Sequence, residues 1–396
     1  MVLNSRKSRK PSMLVLSLAG TMDLLLLLFL LSTIDGGATS ASSCLGSEAS
    51  ILLRVKEGLH LSNGRLSSWG GNESNCCLCE GVECNPQTGR IIGLQLQGRT
   101  TSESTRVFLD IDPKLEFHEY NELKVNGHAD ACDISGSRVP PALFELHHLQ
   151  RLDLCDFNGS AIPSQLAQLT HLTHLNLSRA WFSDNLALED LEGFVKNFKH
   201  LKYLHLDYVC IELRNSQTWS ISLSAALPNL LFLSLACCDL HGSLSPHIFR
   251  LPNLQALDLS YNDPNGTLMP SFFPPESNLQ FLRHVVTSLS GHLPSELFDL
   301  PLLKVLDLTY RYRLSGLLPT KLPKSKLQIL KLPNIMLSGS LPNWIGNLTS
   351  LVELDLSGTH LSGSLPGTIG NLRCLRSLDR FNTNLSGNLP TTIGEH

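Results

Sequence analysis

The sequence predicts an α/β solenoid: a stack of short coils with parallel strands along one face, short 3-10, helical or irregular segments along the other, and a helical cap at the start. Three observations predict it. One phrase of leucine, glycine and proline returns at a fixed interval, each return carries a strand-like alternation of leucines, and glycine and proline fall at the same place every time.

The phrase is clearest from Leu327 to Ile393. Leu327-Gln-Ile-Leu330-Lys-Leu332 is followed by Leu337-Ser-Gly-Ser-Leu-Pro342, and Leu351-Val-Glu-Leu354-Asp-Leu356 by Leu361-Ser-Gly-Ser-Leu-Pro366. A third copy opens at Leu375 and reaches Leu385-Ser-Gly-Asn-Leu-Pro390. The period is about 24 residues, within the leucine-rich-repeat range. In Leu-x-x-Leu-x-Leu the last two leucines share one side of a strand, so both enter the core while the residue between them faces out. Gly339, Gly363 and Gly387 suit a sharp turn, and Pro342, Pro366 and Pro390 fix φ where the chain returns. One coil cannot cover its own leucines; stacked neighbours can, at about 1.5–3 kcal/mol for each leucine fully buried.

Coils begin at Leu149, Leu172, Leu201, Leu230, Leu254, Leu279, Leu303, Leu327, Leu351 and Leu375, which places the repeats at 149–396. The intervals after Leu172 and Leu201 stretch to about 29 residues, so those coils carry insertions, with Asp184–Asn197 and Glu212–Ser222 as candidate binding loops. Three residues beyond each strand's last leucine an inward polar side chain would satisfy the turn. Asn262, Thr359 and Thr383 suit this role, whereas Phe157, Ala180, Val209 and Ile335 cannot hydrogen-bond.

Leu361-Ser-Gly-Ser-Leu-Pro-Gly-Thr-Ile-Gly-Asn-Leu372 resembles the plant-type leucine-rich repeat of receptor-like proteins and receptor kinases. With Leu356-Ser-Gly-Thr-His-Leu361 the chain most resembles the amino-terminal half of a membrane-anchored plant receptor-like protein, a class that includes pathogen receptors. The resemblance implies perception in defence or development, anchoring through a carboxy-terminal helix absent from this chain, and signalling through a co-receptor kinase.

Residues 42–97 read as the cap. Ile51, Leu52, Val55 and Leu59 form a helical stripe within Glu48–Leu61. Leu66-Ser-Ser-Trp69, the cluster Cys76-Cys77-Leu-Cys79-Glu-Gly81-Val82-Glu-Cys84 and a strand over Gly89–Leu96 follow. This series resembles the plant leucine-rich-repeat N-terminal cap, and the resemblance implies disulfides Cys44–Cys76 and Cys77–Cys84. Cys79 stands where that family carries tryptophan. Zinc held by Cys76, Cys77, Cys79 and Cys84 is the alternative; an oxidising compartment and the family pattern both favour disulfides, so no metal is assigned. Eleven cysteines leave at least one outside any pair. Cys238 falls on the inward ladder as a small core residue.

Residues 1–41 read as an address. Arg6, Lys7, Arg9 and Lys10 precede the apolar run Leu24–Leu31, with Ala38 and Ala41 suited to cleavage, as in a secretory signal peptide. An uncleaved signal anchor is the alternative, since Met13–Leu31 nearly spans a bilayer if Asp23 is tolerated. Membrane attachment then comes only from that anchor or from a segment this chain lacks. Residues 98–148 read as an irregular, degenerate first repeat, with no role assigned to 98–133. The chain stops mid-repeat at His396, as a fragment or truncated product would.

The net charge of −4 argues against a nucleic-acid surface. There is no Gly-x-Ser-x-Gly elbow, Walker loop or His-Glu-x-x-His, so neither catalysis nor a cofactor is expected. His147, His148, His171 and His174 recur at the repeat spacing, which any residue type in a repeat does, and are not read as a metal site. Asp153, Asp258, Asp307, Asp355 and Asp379 form one column, read as hydrogen bonding along the sheet. The sequons at Asn72, Asn158, Asn176, Asn265, Asn347 and Asn384 are N-glycosylation candidates, and a glycan on Asn176 would obstruct the concave face.

What remains for recognition is the outward side of the strands. Tyr203, His205, Asp207, Tyr208, Phe232, Asp258, Tyr261, Phe281, Arg283, Asp307 and Tyr310 form an aromatic and charged run expected to bind a peptide or protein. The expected function is non-catalytic extracellular recognition, at the plasma membrane as part of a receptor or otherwise in the apoplast. The rivals are a secreted inhibitor similar to polygalacturonase-inhibiting proteins and a nonfunctional truncated copy.

Overall fold

In a computed structural model of the chain, the described residues are 43–59, 66–70, 75–96, 139–154, 162–178, 191–211, 219–284, 289–309 and 313–388. The leader at 1–41, the stretch 98–133, Cys155, Phe157, Ala180, Tyr310, Asn72 and Asn158 lie outside them, as do parts of both insertions.

The leucine alternation produces short strands that join into one sheet of twelve. In order these are β1 (Val82–Cys84), β2 (Ile91–Gln95), β3 (Arg151–Asp153), β4 (His174–Asn176), β5 (Tyr203–His205) and β6 (Phe232–Ser234), then β7 (Ala256–Asp258), β8 (Phe281–Arg283), β9 (Val305–Asp307), β10 (Ile329–Lys331), β11 (Glu353–Asp355) and β12 (Ser377–Asp379). From β2 onward every pairing is parallel, and leucine meets leucine: Leu152 opposite Leu175, Leu204 opposite Leu233, Leu282 opposite Leu306, Leu330 opposite Leu354. A slip of one residue would turn every leucine to solvent, so burial on the inner side fixes the register. The inward leucines join the cap residues in a single apolar cluster running from Ile51 to Leu385.

Strand β2 pairs directly with β3, Gly93 opposite Arg151, so the two strands belong to neighbouring coils although they are far apart in sequence. A 3-10 segment, Pro141–Glu145, precedes β3. The longer coils carry helices where the others carry 3-10 turns: α2 (Leu191–Val195) and α3 (Trp219–Ala226), after α1 (Gly46–Gly58) in the cap. Leu191, Val195, Trp219 and Leu223 are buried, so the described part of each insertion builds the back layer of the coil and is not an open binding loop.

The Leu-Ser-Gly motif, read from sequence as a turn, forms additional strands. Leu314–Leu317 pairs with Gly291–His292 and with Met336–Ser338, while His241–Ser243 pairs with Asp263–Asn265 and Ser362–Ser364 with Asn384–Ser386. The following Pro-x-x-Ile-Gly forms 3-10 turns such as Asn343–Asn347 and Gly367–Asn371. A β-carbon on Gly346 would collide with the carbonyl oxygen of Thr368 on the next coil, so this position needs glycine for close approach.

The cap helix begins at Gly46, ends earlier than the stripe suggests, and buries Ile51, Leu52 and Val55. Both disulfides, Cys44–Cys76 and Cys77–Cys84, are formed. Cys79 belongs to neither; its buried thiol faces the Ser68 carbonyl at 3.3 Å, and Trp69 nearby donates Nε1–H to the Glu80 carbonyl at 2.8 Å. The cap adds the one antiparallel pairing of the sheet, β1 on β2. Within the cap Glu48 Oε2 accepts from the Ile91 amide at 2.6 Å, and two pairs bind cap to repeats: Arg54 grips Glu145 with two prongs, and Arg151 Nε donates to Glu83 at 2.7 Å.

Asn262 is the strongest turn ladder residue. Its Oδ1 accepts from the Cys238 and Leu240 amides at 2.9 and 3.0 Å, and its Nδ2 donates to the carbonyls of Leu235 and Leu259 at 2.6 and 3.0 Å. Thr359 and Thr383 each donate only to the carbonyl three residues back. At Val209 the backbone amide donates to the Leu206 carbonyl at 3.0 Å, and the Cys238 thiol of the next coil donates to the same carbonyl at 2.9 Å.

Asn262→Ala should therefore lower stability by about 2–4 kcal/mol, because buried amides and carbonyls on two coils lose their partner, whereas Thr359→Val should cost about 1. Urea unfolding followed by tryptophan fluorescence reads both. Replacing Cys44 and Cys76 together by serine opens a loop of sequence separation 32. That should cost about 3–4 kcal/mol, measurable as a fall in denaturation temperature under non-reducing conditions.

Candidate ligand-binding face

Because the strands are in register, their outward residues stack in two columns. The first runs Arg151, His174, Tyr203, Phe232, Ala256, Phe281, Val305, Ile329 and Glu353; the second runs Asp153, Asn176, His205, Ser234, Asp258, Arg283, Asp307, Lys331 and Asp355. Neighbouring strands lie about 4.8 Å apart, close to the contact distance of flat rings. The His174 ring accordingly lies on that of Tyr203, with centroids 4.2 Å apart, and His205 lies on Phe232 at 4.4 Å. His174, singled out in the sequence only for its histidine spacing, belongs to this aromatic column.

Stacking corrects part of the expected site. Phe232 is only 4% exposed and His205 8%, so neither is an open anchor. Tyr203 and Phe281 are half-buried. Asp258 and Asp307 are buried as well, at 2% and 6%. Their role is local: Asp258 Oδ1 accepts from the Ser260 amide at 3.0 Å, and Asp307 Oδ1 from the Thr309 amide and hydroxyl at 3.2 and 2.5 Å. Asp355 and Asp379 bond the residue two positions on in the same way. Asp258, Asp307, Asp355 and Asp379 thus each close their own coil's turn, and the first two also face a cation on the strand between them.

Arg283 lies between these two carboxylates, its Nη1 3.7 Å from Asp258 and its Nε 3.6 Å from Asp307. Two negative charges around one guanidinium leave this part of the face acidic. Lys331 and Glu353, one strand further, are paired at 2.8 Å. Asp207 is half-buried, and its Oδ1 accepts from the Ser234 hydroxyl and the Ala236 amide at 2.5 and 2.8 Å. Cys238 is buried beside it; burial first, and the Asp207 charge second, push its thiol well above the usual range.

Of the expected site's aromatics within the described residues, Tyr208 and Tyr261 are the open ones, 56% and 55% exposed on the turns after β5 and β7; Phe381, on the turn after β12, is also open. Tyr310 lies outside the described residues. Among the sequons, Asn265, Asn347 and Asn384 are exposed. Asn176 is corrected: its amide is buried on β4, Oδ1 accepting from the Ser178 amide at 3.0 Å and Nδ2 enclosed without a bond, so it cannot carry a glycan in this fold.

Residues 45–85 match the leucine rich repeat N-terminal domain family. The chain is 33% identical over 117 residues to the receptor-like protein EIX2 of Solanum lycopersicum, a match covering 28% of this chain and 11% of that relative. Among solved structures, a TDR receptor is 27% identical with a TM-score of 0.54, covering 66% of this chain and 48% of that one. The Arabidopsis receptor kinase HAESA, solved with the peptide hormone IDA and the co-receptor SERK1, aligns over 88% of this chain and 67% of its own with a TM-score of 0.53. At 23% identity that likeness shows the fold alone. By cap, repeat and fold the chain is built as a leucine-rich-repeat solenoid, and parts of it are similar to plant receptor-like proteins, of whose length the match spans only a small part.

The burial pattern separates structural from recognition residues. Phe232→Ala should cost about 3 kcal/mol through the cavity it leaves, whereas Tyr208→Ala should shift the urea midpoint very little. Parallel denaturation curves of the two variants check this.

Proposed function

We propose that this chain, as a leucine-rich-repeat protein similar to plant receptor-like proteins, is part of an extracellular recognition module that binds a peptide or protein ligand. It acts without catalysis of its own, on the outer side of the plasma membrane after passage through the secretory pathway. Its signal passes through a partner kinase, in defence or development.

The observation that carries this reading is the face itself. Between β4 and β9 one in-register surface offers half-buried Tyr203, Phe281 and Arg283, flanked by open tyrosines on the adjoining turns. Aromatic and arginine anchors set in a rigid frame are what protein interfaces use, since little conformational freedom is lost on binding. A sheet built from backbone bonds between every coil supplies that rigid frame. The HAESA complex, with its peptide hormone and co-receptor, supports the same mode of action on this fold.

The test uses the full chain purified from a secreting host and a panel of secreted plant and microbial peptides and proteins, titrated by calorimetry. At least one should bind saturably, and Tyr203→Ala with Arg283→Ala should weaken it roughly tenfold or more. Affinity unchanged in that folded double variant would sink the reading. Inhibition of a microbial polygalacturonase by the chain, without peptide binding, would favour the inhibitor instead.

A further inference from the structure

The fourth residue beyond Leu244, Leu293, Leu341 and Leu365 is an apolar anchor of the back layer: Ile248, Leu297, Ile345 and Ile369 sit there on 3-10 turns, all fully buried. On the coil that begins at Leu303 the same place, beyond Leu318, is held by Leu322, which is 54% exposed. Two local features turn it out. Pro323 follows it, removing an amide and favouring extended backbone at Leu322, and the run from Leu318 to Leu327 is one residue shorter than that from Leu341 to Leu351. Residues 318–328 accordingly form no 3-10 turn. Trp344 of the next coil reaches across instead, its ring centroid 6.3 Å from that of Phe298 and its Nε1–H donating to the Pro319 carbonyl at 2.6 Å.

The leucine turned outward stands among lysines. Lys321, Lys324 and Lys326 are exposed, residues 313–328 contain no aspartate or glutamate, and no ion pair joins these lysines to another described residue. Glu296 and Asp299 lie on the coil before, and the coil after carries no charge between 341 and 350. Lys326 donates its amide to the Leu303 carbonyl at 3.1 Å, and Leu302 beside that bond is 41% exposed. Between two of the lysines Ser325 is 6% exposed; its amide donates to the Phe298 carbonyl at 3.1 Å, while its hydroxyl has no hydrogen-bond partner among the described residues. A buried hydroxyl is seldom left so.

We propose that Leu322 with Lys321, Lys324 and Lys326 forms a second docking site, on the back of the solenoid, for an acidic peptide segment of a partner protein. An apolar side chain of that segment covers Leu322, and its carboxylates meet the three lysines. A leucine in water whose counterparts are all in the core gains by being covered, and lysines outside any ion pair set the sign of what covers it. A polyanionic sugar chain would answer the charge and leave the leucine wet, so a peptide is the better match. The site lies on the face opposite the strands and does not rest on the recognition reading above.

The probe is an end-capped Gly-Asp-Leu-Glu-Asp-Leu-Glu-Gly peptide, titrated into the full chain by calorimetry beside a counterpart with asparagine and glutamine in place of its acids. The acidic peptide should bind, more weakly as salt is raised, and the neutral one should not. Lys321→Gln, Lys324→Gln and Lys326→Gln together should weaken binding at least about tenfold, with the melting temperature unchanged because these lysines make no ion pair to lose. Leu322→Ser should weaken it about fivefold or more, again without loss of stability, because the side chain already faces water. Lys196→Gln with Lys199→Gln, exposed just after α2, should leave it unchanged. Equally tight binding of the neutral peptide, full affinity in the lysine or the Leu322 variant, an equal loss in the Lys196 and Lys199 variant, or binding of oligogalacturonate without binding of the peptide would each overturn the proposal. Tyr203→Ala with Arg283→Ala should leave this titration as it is, so failure here and failure of the strand-face reading are told apart.

Discussion

Everything in this protein depends on a leucine being covered by the leucine of the next coil. No coil can shield its own inward side chains, so stability arises at the contacts between neighbours, and those contacts exist only when adjacent strands are in register. Leu204 between Leu175 and Leu233 is fully buried, as is Leu330 between Leu306 and Leu354. The same constraint explains the cap. Without α1 and the strands β1 and β2, Leu152 would face water on one side, and the two disulfides hold that small cap together where its own core is thin.

Register on the inner side dictates geometry on the outer side. Once leucines are aligned, outward residues stack whether or not their chemistry suits it, and the sequence answers with compatible pairs: His174 on Tyr203, His205 on Phe232, and Arg283 between two aspartates. Much of that face is consequently structural. The two most exposed tyrosines of the described residues lie at its margin, where strands end and the backbone turns left-handed.

The repeats also show how unequal coils share one architecture. Asn262 satisfies amides on the preceding coil and carbonyls on both, while at the equivalent Val209 the turn is closed by a backbone bond together with the Cys238 thiol. Coils lengthened by insertion use α2 and α3 where shorter coils use a 3-10 turn, and the strand spacing does not change. A solenoid tolerates such variation because each coil answers only to its two neighbours.

The sequence by itself determined the positions of the strands, the inward leucines, the resemblance-based cap pairing and the identity of the outward columns. Each follows from a period of two within a strand or a phrase repeated along the chain, both local properties. It did not reveal the second set of strands at Leu-Ser-Gly, because their partners lie on the next coil and the motif alone looks like a turn. Nor did it distinguish Phe232 from Tyr208, or Asn176 from Asn265. Direction toward the outside is set by the strand, but exposure is set by what the adjacent coil places about 4.8 Å away, and only the stacked structure decides that.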